Sequence, residues 1–293
     1  MPATFKALVW FITGSSAGLG LALTRYAMAQ GHTVIATSRN PSKTPELVSE
    51  VEKSGGKWVA LDTTQPEEQL TKTVQLAESL FGRIDILVNN AGMSVLGALE
   101  DIPSADTVYQ MQVNFLGPLR IMQAVLPGMR KRRSGVIMNV SSAQGVAAGL
   151  ACGVYAASKA ALEAASESCS QEVAQFGIRV LIIVPGAFRT DFGKSNVSKQ
   201  IVPSEEYTGN HPVSARLDHV TRLSTTAMGS PAKAAKIMFE AATGEGKVGE
   251  LIKKESLLRV IIGPDCWKVV DRKISELRRT TDLLVDVAAS TNF

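Results

Sequence analysis

Only three cysteines occur in the 293 residues, Cys152, Cys169 and Cys266, widely spaced and with no second cysteine or histidine at metal-ligand spacing. Neither a disulfide framework nor a zinc site follows from them, and no metal is expected. No stretch of about 18 or more apolar residues is present, so nothing reads as a bilayer-spanning helix. The first apolar run, Ala7 to Ile12, is too short for a signal-peptide core and ends in Thr13-Gly14 without a cleavage pattern. A cytoplasmic protein without membrane association is expected. An excess of one charge is also missing: 31 basic residues face 27 acidic ones, for a net charge of +4. That balance is wrong for a chain that neutralises a nucleic-acid backbone. The one basic run, Arg130-Lys131-Arg132-Arg133, has no interleaved aromatics and reads as a solvated connection, so no nucleic-acid partner is expected. There is no internal repeat and no Pro- or Ser-rich linker. With 45% hydrophobic residues to bury, residues 1–293 read as a single compact domain.

What is present is alternation. Short apolar runs rich in β-branched residues recur at Ala7 to Ile12, Thr33 to Ala36, Trp58 to Leu61, Ile84 to Val88, Val136 to Val140, Val180 to Val184 and Arg259 to Ile262. Each reads as a strand buried on both faces, as a parallel sheet covered by helices requires. Helical patterns fall between them, at Leu19 to Gln30, Pro45 to Ser54, Glu67 to Leu80, Ala105 to Arg130, Val154 to Phe176 and Pro231 to Ala242. The fold class expected is α/β, a single Rossmann-type doubly wound parallel sheet with helices on both faces. Its ligands should bind beyond the carboxyl ends of the strands. Residues 188–227 break the rhythm as a long polar stretch bearing Pro and Gly, the expected substrate lid. Residues 264–293 form a C-terminal extension in which Trp267, Val270, Ile274 and Leu277 recur at helical spacing, predicting a helix that packs on the core or on a partner.

After the first strand comes Thr13-Gly14-Ser15-Ser16-Ala17-Gly18-Leu19-Gly20. Gly14 permits a tight turn, Gly18 lets backbone approach a pyrophosphate, and Gly20 lets the following helix pack closely, with helix N–H groups facing the anion. No lysine follows Gly18 or Leu19, which disfavours a nucleoside triphosphatase loop. A dinucleotide is implied, held by Gly14, Ser16, Gly18, Leu19 and Gly20. A Gly-rich turn that holds nothing is the bland reading of this segment alone.

Three further segments stand in order behind this turn: Asn89-Asn90-Ala91-Gly92, Tyr155-Ala156-Ala157-Ser158-Lys159, and Pro185-Gly186 followed by Thr190. With these, the chain from about Val9 to Thr190 resembles the short-chain dehydrogenase/reductase family. Tyr155 and Lys159, one helical turn apart, project from one face and can touch the same ligand. An ammonium about 4 Å away interacts with a phenolate by up to roughly 4 kcal/mol at an effective dielectric of about 20. It should pull the phenol below its ordinary pKa of about 10 until desolvation opposes it, making Tyr155 a general acid/base. Ser142 follows a strand and is placed to hold a substrate carbonyl, with Ser141 as its rival. The resemblance implies that Asn114 completes a catalytic group of Asn114, Ser142, Tyr155 and Lys159. Taken singly, Tyr155 and Lys159 are an ordinary helix surface pair, Ser142 a loop hydroxyl and Asn114 a polar residue inside a helix.

The second strand ends Ala36-Thr37-Ser38-Arg39-Asn40 without the carboxylate that would bind a ribose 2′-hydroxyl. Arg39 can instead pair bidentately with a 2′-phosphate and Ser38 can add a donor, which favours NADP(H). The resemblance further implies that Asp62 meets adenine, that Asn89 with Ala91 and Gly92 meets the adenosine side, and that Pro185, Gly186 and Thr190 meet the nicotinamide carboxamide. Tyr155 and Lys159 face its ribose. Thr63 stands where relatives commonly show an aliphatic residue. The apolar flank of Val95, Leu96, Val146, Leu150, Phe188 and Phe192 suggests a hydrophobic small-molecule carbonyl or alcohol substrate; Arg189 is either an anion anchor or a solvated loop residue. Small residues along the helix after Tyr155 are expected to pair subunits as a homodimer or homotetramer. The expected activity is NADP-dependent oxidoreduction of CH–OH and C=O groups. A dinucleotide sensor that regulates a partner is the competing reading, which has no need of the Tyr, Lys, Ser and Asn group.

Overall fold

The protein is described from a computed structural model covering residues 7–190 and 197–292. Strands β1 (Val9–Ile12), β2 (Thr33–Ser38), β3 (Lys57–Ala60), β4 (Ile86–Asn89), β5 (Ser94–Leu96), β6 (Gly135–Val140), β7 (Ile178–Pro185), β8 (Ser198–Gln200) and β9 (Arg259–Ile262) follow in chain order. Between them run helices α1 (Gly18–Ala29), α2 (Pro45–Lys53), α3 (Glu67–Phe81), α4 (Ser104–Met111), α5 (Gly117–Arg132), α6 (Ala143–Val146) and α7 (Gly153–Val173). Helices α8 (Pro212–Thr226), α9 (Pro231–Thr243), α10 (Gly246–Glu255), α11 (Pro264–Leu283) and α12 (Val285–Ala289) complete the order.

Seven strands form one parallel sheet in the order β3-β2-β1-β4-β6-β7-β9. Side chains on a strand alternate between faces, and the core divides accordingly. Trp10 and Ile12 pack with Val34, Val88, Met138 and residues of α1 and α9. Val9 and Phe11 pack on the other side with Ile35, Leu87, Ile137 and residues of α3, α5 and α7. Both faces are buried, so the strands read as unbroken apolar runs; each fully buried large side chain contributes about 1.5–3 kcal/mol. The chain winds outward through β1, β2 and β3, then returns to place β4 on the other side of β1. A crevice opens beyond the carboxyl ends of β1 and β4 at this reversal.

The structure departs from the sequence reading in four places. The predicted helix Ala105 to Arg130 is two helices joined by a π turn at Gln112–Leu116. Pro118 has no N–H for a helical bond, and its ring crowds the carbonyl four residues back, so the wider turn accommodates it. Gly117 crosses Thr63 so closely that a Cβ would lie 2.3 Å from the Thr63 carbonyl oxygen. Second, the polar stretch 188–227 is not a bare loop: β8 pairs with β5 in a two-stranded parallel sheet, and α8 follows. Third, β5 and α10 form where the sequence predicts neither strand nor helix. Fourth, only one side of the C-terminal helix packs. Cys266 and Val270 are buried, whereas Trp267, Ile274 and Leu277 are more than half exposed. No helix among the described residues is long and apolar enough to cross a membrane.

Candidate active site

The glycine turn leaves β1 and is stitched to its neighbours. The Thr13 hydroxyl accepts the N–H groups of Asn90 and Ala91 at 2.9 Å, and the Asn90 amide donates to the Thr13 carbonyl at 2.9 Å. Ser15 N–H donates to the Thr37 carbonyl at 2.8 Å, tying the turn to β2. Gly14 and Gly18 have φ of 70° and 59°, in the left-handed region that favours glycine. Helix α1 begins at Gly18 with no side-chain cap and no acidic residue in its first turn. Its N-terminal N–H groups and dipole therefore suit a phosphate, and the turn fits a dinucleotide's pyrophosphate.

One cleft of about 730 Å³ runs from this turn across the ends of β2, β4, β6 and β7. Gly14, Ser16, Gly18, Leu19, Ser38, Arg39 and Asp62 line it at one end, and Ala91, Gly92, Ser142, Tyr155, Lys159, Pro185, Gly186 and Thr190 toward the other. Three residues named from the sequence stand elsewhere. Gly20 lies beneath the turn, where a Cβ would be 2.3 Å from the Gly14 carbonyl oxygen; its part is close packing. Asn89 is buried in the sheet with its amide donating to Asn139 Oδ1 at 2.9 Å, and Asn90 lines the cleft in its place. A strand residue one position earlier points to the opposite face. Asn114 sits behind the cleft wall, fully buried in the π turn.

At the centre, Tyr155 and Lys159 are both buried, with the Lys159 ammonium 6.0 Å from the centre of the phenol ring. The ammonium donates to the Val140 carbonyl at 2.8 Å. Ser142 caps α6 by accepting the Gln144 N–H at 3.2 Å and hydrogen-bonds the Tyr155 phenol. Its rival Ser141 donates instead to the Glu163 carboxylate. Asn114 accepts from Met93 N–H at 3.0 Å and donates to the Met93 carbonyl at 2.8 Å and to Ser158 Oγ at 3.0 Å. A Cβ on Gly92 would come within 3.3 Å of Asn114 Oδ1 and 3.4 Å of Lys159 Nζ, so glycine there brings both groups against the loop.

Burial dominates the electrostatics. It pushes Tyr155 up to about 12, opposed by the Ser142 hydrogen bond. It pushes Lys159 down to about 8, opposed by the Glu163 charge. The sequence predicts a phenol depressed by the ammonium; in the protein by itself burial raises it instead, and the opposing influence is the Ser142 hydrogen bond. The phenol therefore holds its proton across the neutral range.

At the far end, Arg39 is exposed and its Nη1 donates to the Tyr109 hydroxyl at 3.3 Å, while Ser38 accepts from Trp58 Nε1 at 3.0 Å. Asp62 accepts the Thr64 N–H and hydroxyl at 2.9 and 2.8 Å, which fixes the loop after β3. Of the apolar flank, Leu96 and Phe188 line the cleft; Val95, Val146 and Leu150 do not, and Phe192 lies outside the described residues. Arg189 donates to the Ala227 carbonyl at 3.2 Å. Several lining residues carried no sequence signal. Asp265, in the first turn of α11, accepts the Ala187 N–H at 2.7 Å, and a Cβ on Gly186 would collide with it at 2.3 Å. Arg216, His219, Val220 and Leu223 reach the cleft from α8, and their helical spacing was the one trace available in advance.

The fold, the glycine turn and the buried Tyr-Lys-Ser group share this one cleft, and comparisons with known proteins identify the family. The family model for short chain dehydrogenases matches residues 8–201, and the chain belongs to that family. It is 37% identical over 257 residues to oxidoreductase BOA17 of Botryotinia fuckeliana, covering 88% of this chain and 89% of that protein. A short-chain dehydrogenase structure from Streptomyces avermitilis matches with a TM-score of 0.86 and 33% identity, over 99% of this chain and 100% of the other. Solved relatives carry either nicotinamide cofactor. A Burkholderia phymatum family member holds NAD (TM-score 0.76, 20% identity, covering 94% of this chain and 96% of that one). ElxO holds NADP (TM-score 0.65, 26% identity, covering 81% and 92%).

Proposed function

We propose that the protein is an NADP(H)-dependent oxidoreductase that interconverts a ketone and a secondary alcohol, working in the reducing direction with Tyr155 as general acid/base. The observation that carries this reading is that Tyr155, Ser142 and Lys159 share one cleft with the glycine turn. Gly14, Ser16, Gly18 and Leu19 would hold the pyrophosphate, Ser38 and Arg39 the 2′-phosphate, and Asp62, Ala91 and Gly92 the adenosine side. Pro185, Gly186 and Thr190 would hold the carboxamide and Lys159 the ribose. When bound, the nicotinamide supplies the hydride. Ser142 donates a hydrogen bond to the substrate carbonyl and orients it beside the phenol. Tyr155 then gives its proton to the carbonyl oxygen, and a phenol held protonated by burial is in the form this step requires. Lys159, charged below about pH 8, stabilises the phenolate left behind. Asn114 is a positioning residue that holds Met93 and Ser158 around the pair. Leu96, Phe188, Val220 and Leu223 offer an apolar wall to the substrate body.

The test is NADPH oxidation by the purified protein across a panel of ketones, with the reverse assay on alcohols, beside Tyr155→Phe. Loss of the general acid should lower kcat by about 10²- to 10⁴-fold. Reduction by the native protein should fall above about pH 8 as Lys159 loses its proton. Turnover that survives in Tyr155→Phe would overturn the mechanism, and tight NADPH binding with no turnover of any compound would favour a dinucleotide sensor.

A further inference from the structure

Helix α8 presents Arg216, His219, Val220 and Leu223 to the cleft, a single helical stripe. Val220 and the adjacent Val213 and Leu217 pack with Leu96, Ala98, Ala151, Cys152 and Tyr155, so the stripe is anchored to the wall that carries the phenol. Arg216 is half-buried, and its Nη2 lies 3.9 Å from Cys152 Sγ, at the N-terminal cap of the helix that bears Tyr155. The other cations lining this cleft are held in place or lie at its opposite end. Lys199 is gripped by both Asp106 oxygens at 2.7 and 2.8 Å, Lys159 is held by Val140, and Arg39 lies at the opposite end against Tyr109. The cleft's carboxylates are occupied too: Asp62 by Thr64 and Asp265 by the Ala187 N–H. Among the described residues Arg216 forms no ion pair. A guanidinium drawn partly out of water beside a neutral thiol has donors to spare, in a fork that matches an oxyanion.

We propose that Arg216 is a specificity-determining residue that binds an oxyanion, a carboxylate or phosphate, on the substrate whose carbonyl meets Tyr155. This deepens the proposed function and rests on it for the identity of the reacting group. The substrate class becomes an amphiphilic oxo acid or phosphate ester: its apolar body lies along Leu96, Val220 and Leu223, and its anionic end meets Arg216.

Two readouts test this. Calorimetric titration of the protein–NADPH complex with hexanoate, hexyl phosphate and hexanamide measures binding without turnover. At least one anion should bind about 10- to 100-fold more tightly than the amide, a preference lost in Arg216→Met and partly kept in Arg216→Lys. The tighter anion identifies the group. The kinetic arm compares oxo acids of increasing chain length with their amides, and the acid-to-amide ratio of kcat/KM should collapse toward one in Arg216→Met. Equal binding of anions and amide, no binding of any of them, or an undiminished preference in Arg216→Met would overturn the assignment. Anion preference lost in Arg216→Met, with no carbonyl reduced by the native protein, would instead overturn the proposed reaction and leave the Arg216 site standing.

Discussion

Arg39 stands at the rim where β2 ends, exposed and lightly held by the Tyr109 hydroxyl, so its guanidinium is free to turn toward a 2′-phosphate. A charge-assisted hydrogen bond contributes about 1.5–3 kcal/mol, or roughly 10- to 150-fold in affinity. Arg39→Asp should weaken NADPH by about that factor relative to NADH, read as the ratio of the two dissociation constants; an unchanged ratio would remove Arg39 from this role. Its place at the cleft was legible in the sequence because the position follows directly from the strand end. Ser142 against Ser141 was not: neighbouring serines have the same chemistry, and only the carboxylate of Glu163, far along the chain, draws Ser141 away. The same holds for Asn89 and Asn90, identical side chains that the pleat sends to opposite faces.

The turn and α1 behave as one unit, and Gly20 is its tightest point. A Cβ there would lie 2.3 Å from the Gly14 carbonyl oxygen and 2.4 Å from Asn90 Nδ2. Gly20→Ala should therefore cost about 1–3 kcal/mol in urea unfolding and weaken NADPH binding, because the backbone that must yield is the cradle itself. Wild-type stability with wild-type affinity in this variant would contradict the packing described. Strands buried on both faces declare themselves as apolar runs, and β9 spans Arg259–Ile262, the run the sequence predicts. The two-helix break at Gln112–Leu116 stayed hidden because a π turn adds a residue without disturbing apolar composition. Strand β8 and helix α8 stayed hidden because only one face of each is covered, leaving polar residues in the majority.

At the scale of the molecule, His32 links the amino ends of β1 and β2 to the helical layer. Its Nδ1 accepts the Leu8 N–H at 3.0 Å, and its ring stands edge-on to Trp10 and Phe239 at 6.1 and 5.2 Å. Burial holds this imidazole below its ordinary value of 6.5. The unfolded chain then takes up the proton first, so stability is full above about pH 6.5 and declines as pH falls below it. Unfolding in urea should show one transition if residues 1–293 act as one domain. Its midpoint should fall between pH 7 and pH 5, and His32→Gln should flatten that fall; an equal slope in both proteins would remove His32 from the acid response.

Everything contiguous was settled by the order of residues alone: the alternation of strand and helix, the glycine turn, the pairing of Tyr155 with Lys159, and the missing carboxylate at Arg39. Such features depend on neighbours within one turn or one strand, where backbone geometry leaves few choices. The tertiary structure decided what depends on distant segments meeting. It chose Ser142 over Ser141 as the partner of the phenol, sealed Tyr155 deeply enough for desolvation to raise it, and brought Asp265 and Arg216 to the cleft from α11 and α8. Burial and long-range contact arise only when the layers close, and no local pattern encodes them.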